Sequence, residues 1–219
     1  AKDAGAHAVH PGYGFLSENA AFARKVEEAG MIFVGPSADT IARMGDKVAA
    51  REAAIAAGVP VAQGSQGRVP DVDAARTIAA EIGYPVMVKA AAGGGGRGIR
   101  VAESEDELAR LFPQAAQEAR AAFGDGGLYI EQFIRDARHL EVQIMGDGAQ
   151  AVHFYERECS LQRRRQKVWE EAPAACLTPE QRAHVCDASV RLAEAVSYRG
   201  AGTLEYLFDP ARGTFAFLE

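Results

Sequence analysis

Six residues, Gly93-Gly-Gly-Gly-Arg-Gly98, stand between two short apolar runs, residues 86–90 and 99–102. No other feature limits the fold as strongly. The run satisfies G-x-G-x-x-G in its letters. A dinucleotide-binding loop, however, needs a helix directly after its last glycine, so that the helix N-terminus can hold pyrophosphate. Here Ile99-Arg-Val follows, which is strand-like. The G-x-x-x-x-G-K-[ST] pattern is absent too. Strand, glycines, strand describes a hairpin whose backbone N–H groups can close over phosphates with no side chains in the way. The plainer alternative is a surface loop. Lys89 ends the first run and is placed to meet phosphates under such a loop; otherwise it is an edge-strand lysine whose charge reaches water.

The rest of the chain reads as α/β. Residues 6–9 and 31–34 are strand-like. Ser17 is expected to cap a helix running to Ala29, with Gly30 as its stop. Ser37 and Asp46 are further N-caps, and the second starts an Ala-rich helix ending at Gly58-Val-Pro60. This alternation predicts a parallel sheet layer. A helix follows near 71–82. Ser104 and Glu107 form a capping box for the next one, which Pro113 is expected to kink or interrupt. From Gly124 strands dominate, at 128–134, 139–145 and 151–156. Thr178-Pro-Glu-Gln181 caps a helix to about Ser197, with Gly200 as its end. Two strands, 203–208 and 214–219, close the chain.

Charge limits the partners. Lys and Arg number 24 against 30 Asp and Glu, a net charge of -6. Large polyanions such as nucleic acids are poor partners for such a chain, whereas nucleotides are not excluded. Cys159, Cys176 and Cys186 are odd in number and lack CxxC spacing, so neither a disulfide framework nor a zinc site is indicated, and a cytoplasmic setting is expected. No apolar run approaches the roughly 18 residues of a membrane span, and the first residues have no signal-peptide core. The missing initiator Met suggests a piece of a longer protein.

Two further constellations carry chemistry. A hairpin turning at Ala211-Arg-Gly213 would pair Phe208 with Ala216 and Glu205 with Glu219. Facing carboxylates repel unless a cation or a shared proton intervenes, and a hard cation shared with phosphates, Mg²⁺, suits two such oxygens; the plainer alternative is two solvated Glu on an exposed face. Gln162-Arg-Arg-Arg-Gln-Lys167 follows the strand that ends near Glu158. It reads as a solvated face, or as an anion site for a transferring phosphoryl group. No aromatic side chains interleave there for base stacking.

Assembled, these segments resemble the biotin carboxylase component of biotin-dependent carboxylases, in the ATP-grasp superfamily. The carrying segments are His-Pro-Gly-Tyr-Gly-Phe-Leu-Ser-Glu-Asn (10–19), Met-Gly-Asp-Lys (44–47) and Gly-Tyr-Pro-Val-Met-Val-Lys-Ala (83–90) with the glycine loop. Glu-Arg-Glu-Cys-Ser-Leu-Gln-Arg-Arg-Arg-Gln-Lys-Val (156–168), Glu-Glu-Ala-Pro-Ala (170–174) and Tyr-Arg-Gly-Ala-Gly-Thr-Leu-Glu (198–205) complete the set.

The resemblance implies an α+β ATP-grasp fold. A partial Rossmann-like pre-ATP-grasp domain would span 1–45 and a helical connection 46–61. The glycine-loop lid would span 62–132 and a truncated C-terminal lobe 133–219. It also implies a ligase reaction. ATP and bicarbonate give carboxyphosphate and ADP, and the carboxyl group passes to N1 of biotin on a carrier protein or domain. Lys47 and Lys89 would contact ATP phosphates under Gly95 and Gly96. Glu131, Gln132, Phe133 and Ile134 match the adenine-binding segment, His139 a ribose-side contact, and Gln162 and Arg165 further nucleotide positions. Lys167 would be the catalytic lysine that holds bicarbonate or carboxyphosphate. Glu205 and Glu219 would bind Mg²⁺ or Mn²⁺.

The chain departs from the family pattern at three places. Many relatives have His at Arg165 and Lys at Gln132. The family's segment beyond Glu219, with Asn-x-Arg and a Glu base, lies outside this sequence. The chain as written is therefore expected to hold most of the ATP site and little of the biotin site, and to be inactive alone. The implied partners are a carboxyltransferase component and, in the longer protein, a second copy in a homodimer; neither nucleic acid nor membrane is expected. The competing readings are another ATP-grasp ligase of the carbamoyl-phosphate or carboxylate-amine type, a nucleotide-binding module without turnover, and an NAD(P)-binding oxidoreductase. The missing helix after Gly98 speaks against the last.

Overall fold

A computed structural model describes residues 1–65, 67–91, 99–164 and 166–219, with Lys47 and Phe123 lacking described side chains. The glycine run with Gly95 and Gly96, Arg165, and the side chain of Lys47 thus lie outside the described residues. The chain forms two compact units, Ala1–Val61 with Asp136–Glu219, and Ala62–Arg135.

The first unit begins with a parallel pair, β1 (Ala8–Val9) and β2 (Ile32–Phe33). Between them α1 runs over Ala20–Glu28, and its N-cap is Asn19, whose side chain accepts from the Phe22 N–H at 2.9 Å. Ser17 lies instead in a 3-10 turn and donates its hydroxyl to the Gly14 carbonyl. Both residues are competent caps; the turn uses up the serine, and the helix starts two residues later than expected. Ser37 and Asp46 cap α2 (Ala38–Gly45) and α3 (Lys47–Ala56) as the sequence predicts.

The same unit holds a five-stranded antiparallel sheet in the order β10-β9-β6-β7-β8. Its strands are β6 (Arg138–Asp147), β7 (Ala151–Arg163), β8 (Gln166–Glu171), β9 (Arg199–Asp209) and β10 (Thr214–Phe217). Strand alternation divides the sheet into two faces. Leu140, Val142, Ile144, Leu204, Tyr206 and Phe208 are buried against helix α6 (Pro179–Ala195) and α3 in one core. Thr178 and Gln181 form a complete capping box for α6. Its end is turned by Ser197, with φ 50°, while Gly200 lies within β9 and not at the helix end. The opposite face carries the polar residues of the site.

Two expectations fail here. The strand before the basic stretch does not end near Glu158: β7 continues to Arg163 and β8 begins at Gln166, so Gln162 and Lys167 pair across a hairpin. The closing hairpin pairs Phe208 with Phe215, one residue away from the expected register. Asp209 causes this. Its carboxylate accepts from the Ala211 and Arg212 N–H groups, and the loop spans four residues, 210–213, where three were expected. Gly213 closes the turn with φ 65°, a backbone conformation that glycine adopts without strain.

The second unit is a three-stranded antiparallel sheet, β4-β3-β5, formed by β3 (Val86–Ala90), β4 (Ile99–Ala102) and β5 (Leu128–Gln132). Helices α4 (Val72–Ile82) and α5 (Glu105–Phe123) bury Ala75, Ala79, Leu108, Leu111, Phe112 and Ala115 against Val86, Val88, Leu128 and Ile130. Pro113 lies inside α5 and does not interrupt it. The buried residues on both sides of the proline hold the helix to the sheet, and this packing outweighs the one lost backbone hydrogen bond. Ser104 caps α5, but Glu107 reaches the Glu103 N–H, so the expected box is displaced by one residue. Lys89 is on the central strand, not on an edge.

Candidate active site

In the second unit Lys89 and Glu131 stand on adjacent strands β3 and β5, and the lysine ammonium pairs with the Glu131 carboxylate. Both side chains are partly buried, so the pair keeps its cation at the mouth of the β3–β4 hairpin. Gln132 donates its backbone N–H to Gln63 and Phe133 donates to Pro85, which fixes the segment leading to Ile134. Gly64 approaches this strand closely: a Cβ there would lie 2.7 Å from the Ile130 carbonyl oxygen.

In the first unit the polar sheet face gathers His139, Glu141 and Gln143 of β6, Arg157 of β7, Lys167 of β8 and Glu205 of β9. Glu141 and Glu205 are direct cross-strand partners. Two carboxylates so placed repel, and Lys167 resolves this. Its ammonium binds Glu205 at 2.8 Å and also pairs with Glu141. His139 Nε2 lies 3.1 Å from the second Glu205 oxygen. The hydrogen bond with His139 is the largest cause that holds the Glu205 carboxyl down at about 2; burial pushes the other way, and the hydrogen bond with Lys167 and the charges of both partners outweigh it. Glu205 is thus an ionised, hard oxygen donor across the neutral pH range.

Glu141 is nearly inaccessible, its side chain 4% exposed. Arg157 Nη2 reaches it at 2.8 Å, and Nη1 donates to Gln143 Oε1 at 3.2 Å. Gln143 in turn donates to the Gly202 carbonyl at 2.8 Å. Gln162 donates to the Cys159 carbonyl. Cys159 is buried beside His139 and Glu141, and burial pushes its thiol up to about 11.

Glu219 does meet Glu205, although not by the expected register. The Glu205 N–H donates to the Glu219 carbonyl at 2.7 Å, while the Leu218 N–H donates to the Glu205 carbonyl at 2.8 Å. Leu218 and Glu219 both stand opposite Glu205, the pattern of a β-bulge. Such a bulge restores at the end of β10 the residue that the longer turn removed. Glu141 and Arg157 were missed by the sequence reading. Their signal was the alternation His139-Leu-Glu141-Val-Gln143, polar at every second position beside an apolar core face.

Residues 46–219 match the family model described as carbamoyl-phosphate synthase L chain, ATP binding domain, and residues 1–41 match the biotin carboxylase N-terminal domain. The chain belongs to the biotin carboxylase family. Biotin carboxylase 1 of Bacillus subtilis is 51% identical over 220 residues, covering 100% of this chain and 49% of that protein. The biotin carboxylase domain dimer of Hydrogenobacter thermophilus 2-oxoglutarate carboxylase, solved with MgADP, ADP and bicarbonate, is 48% identical with a TM-score of 0.83; the match covers 100% of this chain and 48% of that one. Biotin carboxylase from Campylobacter jejuni in a β-γ-ATP complex is 46% identical with a TM-score of 0.85, covering 100% and 49%. The chain thus spans about half the length of these biotin carboxylases. Its α/β architecture is that of their ATP-grasp domains, and the expected resemblance holds from its first residue to its last.

Proposed function

We propose that this chain is the ATP-handling half of a biotin carboxylase, which carboxylates carrier-bound biotin with bicarbonate at the cost of ATP. The observation that carries the reading is the Lys167 ammonium held over Glu205, beside His139, on one face of the β6–β9 sheet. Lys167 offers N–H donors on this face to a small oxyanion, whereas the Arg157 guanidinium is taken up by Glu141, Gln143 and Glu170. Glu205, with Glu219 next to it along the bulge, offers oxygen donors, and its depressed pKa keeps it ionised; this donor set fits Mg²⁺. Bound there, the metal would neutralise phosphate charge.

The roles of the chain's own residues follow. Lys47 and Lys89 bind ATP phosphates, and Gly95 and Gly96 serve the same nucleotide. Glu131, Gln132, Phe133 and Ile134 hold the adenine. His139, Gln162 and Arg165 serve the nucleotide, and the His139 Nδ1, buried without a hydrogen-bond partner among the described residues, is free for a ligand hydroxyl. A bicarbonate oxygen attacks the γ-phosphorus, ADP leaves, and carboxyphosphate forms. Lys167 holds both the bicarbonate and the carboxyphosphate in place and offsets their negative charge. The carboxyl carbon then passes to N1 of biotin and phosphate is released.

The domain limits follow the same reading: a pre-ATP-grasp piece to 45, a connection to 61, a lid to 132 and a C-terminal lobe to 219. The partners are a biotin carrier, a carboxyltransferase and a second copy of the full-length protein. No helix among the described residues is long and apolar enough to cross a membrane, and we place the protein in the cytoplasm. Calorimetric titration of the chain with ATP tests the ATP site. Binding that requires Mg²⁺ and weakens in Glu205→Gln supports the reading; binding that ignores both refutes it.

A further inference from the structure

Glu141 is as buried as any carboxylate on the site face, yet two cations share it. Lys167 is one. Arg157 is the other, fixed by three contacts: Glu141 at 2.8 Å, Gln143 at 3.2 Å and Glu170 at 3.3 Å. A buried carboxylate needs a permanent counter-charge. If Lys167 were its only partner, Lys167 could not turn to an anionic substrate without stranding a bare charge.

Resting on the assignment of Lys167 to bicarbonate, we propose that Arg157 is a positioning residue. It keeps Glu141 neutralised and thereby frees the Lys167 ammonium to engage the substrate anion. Gln143 supports this role. Clamped to the Gly202 carbonyl on β9, it orients the guanidinium from the far side. Arg157 touches neither Glu205 nor His139 among the described contacts, so its effect passes through Glu141 and Lys167.

Two measurements test the proposal. In the full-length protein, Arg157→Met should raise the bicarbonate KM on the order of tenfold, with the ATP KM and kcat far less changed. Arg157→Lys should recover part of the loss, because it restores the charge but not the fork to Gln143. Gln143→Leu should give a smaller shift in the same direction, and it serves where Arg157→Met does not fold. An unchanged bicarbonate KM, or parallel rises in both KM values with no benefit from Lys, overturns the proposal.

The second measurement needs no turnover. Reductive methylation of Lys167, followed by peptide mass spectrometry, should be several-fold slower in Arg157→Met than in the wild type, because Lys167 is then the sole counter-charge of Glu141 and is held to it more tightly. Equal rates overturn the proposal. Slower methylation in the variant, with no protection by bicarbonate in either protein, would uphold Arg157 as the positioning group while removing the bicarbonate assignment.

Discussion

Glu141 and Glu205 stand directly across from each other on neighbouring strands, and the Lys167 ammonium joins their carboxylates. The sequence pointed to a carboxylate pair on this lobe and to a cation between the two. The structure keeps Glu219 beside Glu205 and adds Glu141 as a second carboxylate across from it, with a cation from the chain itself.

Removing that cation should be costly. Lys167→Gln leaves two facing carboxylates with Arg157 on only one of them, and should destabilise the protein by about 1–3 kcal/mol in urea unfolding. Adding Glu205→Gln should recover much of this loss, since one of the repelling charges is gone. Additive losses in the double variant would mean that the two residues do not interact.

The pH dependence of Glu205 has a definite sign. Its folded-state pKa lies near 2, below the ordinary 4.5. The stabilisation is therefore fully present above about pH 4.5 and fades as pH falls through that value towards 2. The stability difference between wild type and Glu205→Gln should be flat from pH 5 to 7 and shrink between pH 4.5 and 3. A difference constant down to pH 3 would show that the carboxylate is not held ionised.

The thiols should be inert in the folded chain. Burial pushes Cys159 and Cys176 up to about 11 and Cys186 up to about 12. At pH 8 roughly one thiol in a thousand, or fewer, is then the reactive thiolate. Iodoacetamide should label these cysteines far more slowly than free cysteine until urea unfolds the protein. Native labelling of Cys159 at the free rate would place it in a different environment.

Glu156 and Arg182 form another ion pair of the first unit with a buried carboxylate. The Glu156 side chain is fully buried and accepts from Arg182 Nε at 2.8 Å and from the Ala174 N–H at 3.0 Å. Arg182 also donates to the Ala174 carbonyl, so the pair pins the segment before α6. Arg182→Met should cost about 3–5 kcal/mol, because it strands a buried charge. Arg24→Met, which breaks an exposed pair with Asp39, should leave the unfolding midpoint unchanged.

Local chemistry was legible where it met no competitor. β3 falls where the sequence put it, bounded by Pro85 and the glycines, and the caps at Ser37, Asp46 and Thr178 are used as written. Misreadings arose where a distant or neighbouring group decided the matter. The 3-10 turn took Ser17, packing on both sides carried α5 through Pro113, and the Asp209 carboxylate lengthened the last turn. β8 was unreadable for another reason. Gln-Lys-Val-Trp-Glu-Glu is an exposed, charged edge strand with no buried face to impose alternation. Of the site, Lys167, Glu205 and His139 were found and do come together. Glu141 and Arg157 gain their meaning only from cross-strand pairing, which links residues up to 64 positions apart.

Release of phosphate from ATP by the full-length protein, measured with Mg²⁺ while bicarbonate and free biotin are each added or withheld, tests the central claim most directly. ATP cleavage that depends on bicarbonate, rises with biotin and is lost in Lys167→Gln is the predicted result. Cleavage indifferent to bicarbonate, or intact in Lys167→Gln, would contradict it.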